Sequence, residues 1–255
     1  MAARFVLGQI SDLHVLAQQG DEPFDHNRNV RRALEQIAAY KPDIILATGD
    51  LANDAQSSEY EALAPLLAMA PAPLFLVPGN HDDRDLLRAA FPAHAYLPHH
   101  GKLSYVIERF GVRIVVLDSA IKGQTGGGFD EEDSAWLDGT LSDSSETPTL
   151  VALHHPPFQT HDRLFDRIGL QGREAFAAVI ARHPQVQIVI AGHHHRAVIG
   201  RVAHAPAVVA PATAYTYSTA LREDQKIGLK SPEAAFALHV WETPEAGPVS
   251  HFISL

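Results

Sequence analysis

Six short, continuously apolar runs constrain this chain more than any other feature: RFVLGQI (4–10), DIILAT (43–48), PLFLV (73–77), RIVVLD (113–118), TLVAL (149–153) and VQIVIA (186–191). Val, Ile and Leu dominate them, and they lack the polar alternation of a half-exposed strand. They read as strands covered on both faces. Helical patterns separate them. Residues 27–40 carry Val30, Ala33, Leu34, Ile37 and Ala38, an i, i+3, i+4, i+7, i+8 stripe. Ser58 and Glu61 predict a capping box for a helix to about Met69. FDEED (129–133) opens another helix toward Leu141, its acids favoured by the helix dipole, and residues 172–183 give a further one. KLSYVIERFGVRIVVLDS predicts a hairpin turning near Gly111, so the strands are not all parallel. PAVVAPA, AAFALHVW and VSHFISL in the tail read as antiparallel strands, and GQTGGGF (123–129) as a mobile surface loop. No composition shift or repeat interrupts the chain. The expectation is one α/β domain over residues 1–255.

Composition narrows the chemistry. At 255 residues, 46% of them hydrophobic, the chain can bury a full core. It contains no cysteine, which excludes disulfides and thiolate metal sites. A net charge of −10 speaks against wrapping a nucleic-acid polymer. No apolar run approaches the ~20 residues that cross a bilayer, and MAARFVLGQI carries no targeting pattern. A cytoplasmic protein without a membrane partner is expected, with a homo-oligomer left open. The unusual figure is 16 His beside 20 Lys plus Arg, which puts metal binding first among the chemistries to test.

Polar residues gather where the runs end. Asp12 and His14 follow the first run, Asp50 the second, and Asn80, His81 and Asp82 the third. His154 and His155 follow the fifth, and His193, His194 and His195 the sixth. The carboxyl ends of strands are where open α/β sheets bind ligands. Carboxylate, amide oxygen and imidazole without sulfur suit Mn, Fe, Zn or Co. The donors are too many for one ion, and a carboxylate such as Asp50 could bridge two. If AGHHHRA (191–197) is extended, His193 and His195 share a face and His194 points away. Any one of these residues has an ordinary reading as a turn or core residue, which is the reading for His94, His99, His100, His161, His183, His204, His239 and His251. Five such elements in order, each at a strand end, do not.

The set D-x-H, G-D, G-N-H-D, H and G-H-x-H, here Asp12/His14, Gly49/Asp50, Gly79–Asp82, His154 and Gly192–His195, resembles the calcineurin-like metallophosphoesterases. ISDLH, GNHDD, HHPP and the compact length are similar to the bacterial class III cyclic nucleotide and glycerophosphodiester phosphodiesterases within that family. The resemblance implies a four-layer αββα sandwich with two central mixed β-sheets. It implies two divalent metal ions, Fe and/or Mn with Zn or Co as substitutes. Asp12, His14, Asp50 and His195 would hold the first ion, and Asp50, Asn80, His154 and His193 the second. His194 would fill a variable position and His155 would stay outside the set. His81 would face the substrate beside Asn80 as a proton donor, with Asp82 orienting it. Tyr215, in PATAYTYS, is a candidate substrate contact, and Arg84 and Arg196 flank the motifs. The implied activity is hydrolysis of a small-molecule phosphodiester by a metal-bridging hydroxide. A phosphomonoesterase or nucleotide pyrophosphatase of the same fold is the alternative. A non-catalytic scaffold is the third reading, against which the filled ligand positions argue.

Overall fold

All six apolar runs are strands, divided equally between two sheets. The computed structural model describes residues 4–20, 24–226, 228–231 and 234–255. Strands β1 (Phe5–Ile10), β2 (Ile44–Thr48) and β3 (Leu74–Val77) alternate with helices α1 (His26–Ile37), α2 (Ser57–Leu67) and α3 (Arg84–Ala90). The hairpin β4 (Tyr105–Ile107) and β5 (Arg113–Val116) comes next, then β6 (Gly127–Gly128), α4 (Glu131–Ser142) and β7 (Thr149–Ala152). They are followed by α5 (Arg163–Arg167), β8 (Leu170–Gln171), α6 (Arg173–Arg182), β9 (Val186–Ala191), β10 (Val198–Val202) and β11 (Ala205–Val209). The chain ends with β12 (Thr216–Tyr217), β13 (Leu229–Ser231), β14 (Ala235–Trp241) and β15 (Val249–Ser254).

One sheet runs β15-β14-β1-β2-β3 and the other β10-β11-β9-β7-β5-β4. β1, β2 and β3 are parallel, as are β5, β7 and β9. β14 is antiparallel to both β1 and β15. β11 is antiparallel to β10 but parallel to β9, so PAVVAPA is antiparallel on one side only. Both sheets are mixed.

The period-2 alternation of strand side chains sorts the second sheet into two faces. Ile114, Val116, Leu150, Ala152, Ile188 and Ile190 join the core built on β1, β2, β3, α1 and α2. Their neighbours Val115, Leu117, Val151, Leu153, Val189 and Ala191 pack instead with Leu137 and Leu141 of α4 and Phe176, Val179 and Ile180 of α6. The layers are therefore α, β, β, α, and each central strand is mostly apolar because both its faces are buried. Burial of one such side chain contributes about 1.5–3 kcal/mol.

One polar chain crosses this core. Gln9 Nε2 donates to Thr48 Oγ1 (2.9 Å) and to Ala191 O (2.9 Å), tying β1 and β2 to β9. His239 Nε2 donates to Gln9 Oε1 (2.9 Å), and its Nδ1 meets Ser250 Oγ at 2.7 Å. These bonds set the mutual register of strands whose ends carry the site.

Two local expectations are corrected. The capping box of α2 is formed by Gln56 and Glu59, two residues before the Ser58–Glu61 pair, because Glu59 also accepts from Asp54 N (2.9 Å) and stops the chain there. The GQTGGGF stretch is not a free loop. Gly127 and Gly128 pair with Leu170 and Gln171, and Gly127 lies so close to the His155 ring that a Cβ there would overlap it.

Candidate active site

The residues picked out at the strand ends come together in one buried place. Asp12, His14, Asp50 and His195 each bring a donor atom within 4.8 Å of the others, and His154, His155 and His193 form a second such group. Asp50 lies between the two. Its Oδ2 is 3.7 Å from His14 Nε2 and 3.3 Å from His154 Nε2.

The backbone that delivers them is strained. Asp12, His14, Asp50, His193 and His195 all have φ between +43° and +69°. They are five of the nine described non-glycine residues with positive φ, a region that costs an L residue energy and persists where surrounding structure enforces it. This corrects the extended reading of the His run. His193 and His195 are directed inward by left-handed turns, and His194 points elsewhere for the same reason. Its ring stacks on Phe165 (centroids 4.3 Å apart), and its two nitrogens are buried without a hydrogen bond. Gly192 completes the turn by close approach: a Cβ there would collide with Ser11 Oγ, Thr48 O and Asp12 Oδ2.

Backbone carbonyls orient the rings. His154 Nδ1 donates to Thr48 O (2.8 Å), His195 Nδ1 to Tyr215 O (2.9 Å) and His193 Nε2 to Ile168 O (3.0 Å). In each case the opposite nitrogen remains for a cation, which imidazole binds in its neutral form. His195 Nε2 faces His14 Nε2 at 3.2 Å and Asp12 Oδ1 at 3.5 Å. Asp12 is itself fixed by Ser11 Oγ (2.6 Å) and by the His193 amide (3.0 Å). His155 differs, since Ser119 Oγ (2.9 Å) meets its Nδ1 and Thr125 O (3.3 Å) its Nε2.

Whether this donor set fits a metal centre is answered by its unpaired atoms and its charge. Asn80 Oδ1, His154 Nε2 and His14 Nδ1 are buried without a hydrogen-bond partner. Burial opposes charge on His154, yet Asp50 beside it outweighs that and raises the imidazole to about 9. Burial also opposes charge on Asp50, and His154, His14 and His81 together hold its carboxyl well below the usual range. Burial pushes His14 and His193 well below the usual imidazole value, so both are neutral. Neutral imidazoles at His14 and His193, beside an Asp50 carboxylate that draws positive charge onto His154, make a pocket that suits divalent ions. The residues fit.

His81 stands at the rim. Its amide donates to Asp50 Oδ1 (2.9 Å), its Nδ1 bonds Asn53 O, and its ring packs edge-on against His14 at 4.7 Å. Asp82 makes no hydrogen bond to the His81 ring. The Asp82 carboxylate accepts from the amides of Gly79 (2.8 Å), Leu51 (3.1 Å) and Ala52 (3.1 Å) and from Tyr60 Oη (3.2 Å). Burial and then Asp50 raise its pKa to about 6. Tyr215 packs its ring on His14 (5.3 Å) and His195 (4.7 Å).

A cavity of 690 Å³ opens beside Asn80 and His81. The cations on its wall are already paired. Arg84 forks onto buried Asp118 (2.6 and 2.9 Å), Lys102 meets Asp133, Lys122 meets Asp83 and Arg88 meets Asp85. Arg84 is therefore spent on the fold, while Arg196 donates to Tyr217 O (2.9 Å). The sequence reading missed the carbonyls of Thr48, Asn53, Ile168 and Tyr215, because every residue carries one and none is marked by its side chain.

The calcineurin-like phosphoesterase family model matches residues 5–197. A protein of Arcobacter nitrofigilis named "Probable glycerophosphodiester phosphodiesterase GpdQ" is 29% identical over 254 residues, 96% of this chain and 92% of that protein. The 3',5'-cyclic adenosine monophosphate phosphodiesterase CpdA of Escherichia coli is 32% identical over 76% of this chain and 70% of its own length. Among solved structures, a dimetal phosphatase from Danio rerio superposes with a TM-score of 0.71 at 16% identity, covering 98% of both chains, which speaks to the fold. With its motifs gathered at the strand ends of a four-layer sandwich, this chain belongs to the calcineurin-like phosphoesterases.

Proposed function

We propose that this protein hydrolyses small phosphodiesters, of the glycerophosphodiester or cyclic-nucleotide kind, at a centre of two divalent ions. The observation that carries the reading is the buried convergence of imidazoles and carboxylates around Asp50, with His14 Nε2 and His154 Nε2 both facing its Oδ2. Relatives named for both diester types support the substrate class. In this reading Asp12, His14, Asp50 and His195 hold the first ion and Asp50, Asn80, His154 and His193 the second. Asp50 is shared because its Oδ2 lies between His14 and His154. His155 stays outside because both its nitrogens are engaged. Oxygen and nitrogen donors without thiolate suit Fe or Mn, our assignment, and also Zn or Co. When bound, such a pair lowers the pKa of a water and clamps the oxygens of an in-line displacement.

The rest is done by the chain itself. With Nδ1–H committed to Asn53 O, His81 in its imidazolium form carries a second proton on Nε2, which it gives to the departing alkoxide, leaving a neutral ring. Asn80, at the second ion, also borders the substrate cavity beside His81. Asp82 acts one step back by holding the turn that carries both. Tyr215 walls the approach to His14 and His195. An acidic chain whose cleft cations are paired favours a small substrate over a nucleic-acid polymer. A cytoplasmic setting is part of the same reading, and no helix among the described residues is long and apolar enough to cross a membrane.

Metal analysis followed by a panel of diesters, monoesters and pyrophosphates tests the reading. Two equivalents of metal with diester turnover are expected. A fully loaded protein that turns over no diester overturns it.

A further inference from the structure

Tyr60 belongs to none of the motifs. Its ring is buried in the core under α2, 1% exposed, yet its hydroxyl reaches the turn after β3. It donates to Asp82 Oδ1 (3.2 Å) and accepts from the Asp83 amide (2.8 Å). Asp82 in turn gathers the amides of Leu51, Ala52 and Gly79. Three segments meet at that carboxylate: helix α2, the loop after β2 with Asp50 and Asn53, and the turn with Asn80 and His81.

Asn80 and His81 lie between the end of β3 and the start of α3, outside regular structure. His81 keeps its place by bonds to the opposite loop, its amide to Asp50 Oδ1 and its Nδ1 to Asn53 O. Both bonds require the two loops to hold a constant separation. Two backbone amides from one loop, one from the other and a phenol from a packed helix hold that separation at Asp82.

We propose that Tyr60 is a positioning residue for the reaction: through Asp82 and the Asp83 amide it fixes the turn so that His81 and Asn80 face Asp50. The kinetic part of this inference rests on the phosphodiesterase reading above; the geometric part does not. A phenylalanine at 60 would keep the buried ring, remove one donor from Asp82 and leave the Asp83 amide without its acceptor.

The test compares wild type with Tyr60→Phe at matched metal content, on a p-nitrophenyl diester and an alkyl diester. Hydrogen exchange of residues 79–83 is followed in parallel. Tyr60→Phe is expected to lower kcat on the alkyl diester about tenfold with KM within about twofold, the scale of one lost hydrogen bond to a charged group. The nitrophenyl diester should lose less, because that leaving group needs no proton from His81. Exchange over 79–83 should quicken. Asp82→Asn should move the same quantities, and the double variant should lose no more than the worse single, since both break one network. A hydroxyl that serves stability alone would lower the melting temperature on removal and leave the leaving-group pattern unchanged. Unchanged kcat at full metal content, equal losses on both diesters, or additive losses in the double variant would overturn the proposal. If wild type cleaves no diester, the activity reading fails and the exchange measurement decides alone. Unaltered protection over 79–83 would then overturn the latch, and faster exchange would support it.

Discussion

His81 is the motif imidazole held outside both donor groups, with Nδ1 spent on Asn53 O. If it protonates the leaving oxygen, His81→Ala should keep both metals and lose ~10²–10⁴-fold on an alkyl diester, with a much smaller loss on a nitrophenyl diester. Rates at equal metal content check this, and equal losses on the two would remove the acid role. The His193–His195 run makes a second prediction. His193→Ala and His195→Ala should each lose about one equivalent of metal, because each presents an oriented lone pair to the centre. His194→Ala should keep both and cost roughly 1–3 kcal/mol of stability through the cavity left beside Phe165. Metal content of the three variants decides, and equal loss in all three would refute the assignment. At this scale the side chains of the site were legible, because Asp, Asn and His at successive strand ends are chemically conspicuous. Their backbone was not. Left-handed φ at Asp12, His14, Asp50, His193 and His195 has no residue-type signal when the residue is not glycine. Adjacency in GNHD makes Asp82 look like the partner of His81, whereas its carboxylate is turned to backbone amides.

Strands β1, β14 and β15 are joined by His239, which sits with 0% exposure between Gln9 and Ser250. Burial lowers its pKa to about 3. The unfolded chain, with an ordinary imidazole, takes up the proton first as pH falls. The stability His239 contributes is therefore complete above about 6.5 and is lost progressively toward about 3. By pH 5 this one group should cost about 2 kcal/mol. Urea midpoints at pH 7 and pH 5 for wild type and His239→Gln should show a flatter dependence in the variant, and parallel curves would contradict it. The elements themselves were legible as six apolar runs, with boundaries within a few residues. Their division into two sheets came through the family resemblance and not from the runs themselves, because a strand covered on both faces looks alike whether helix or sheet covers it. The α2 cap was misplaced because Glu59, rather than Glu61, captures the amides of Asp54 and Gln56.

At the scale of the molecule, a four-layer sandwich delivers donors from both sheets to one end, and Gln9 holds those sheets in register across the core. The cleft beside the centre offers paired cations only among those lining it, with Arg84 locked on Asp118. A singly charged diester should therefore be turned over faster than the matching dianionic monoester, by about tenfold or more in kcat/KM, one unpaired charge interaction being worth roughly 1–2 kcal/mol in such a site. Matched nitrophenyl esters measure this, and a preference for the monoester would contradict it. The central claim, two ions sharing Asp50, is tested most directly by anomalous diffraction from crystals grown with Mn. The account predicts two anomalous peaks about 3.5–4 Å apart, with Asp50 in contact with both and His155 with neither. A single peak, or two peaks of which Asp50 touches one, would contradict it.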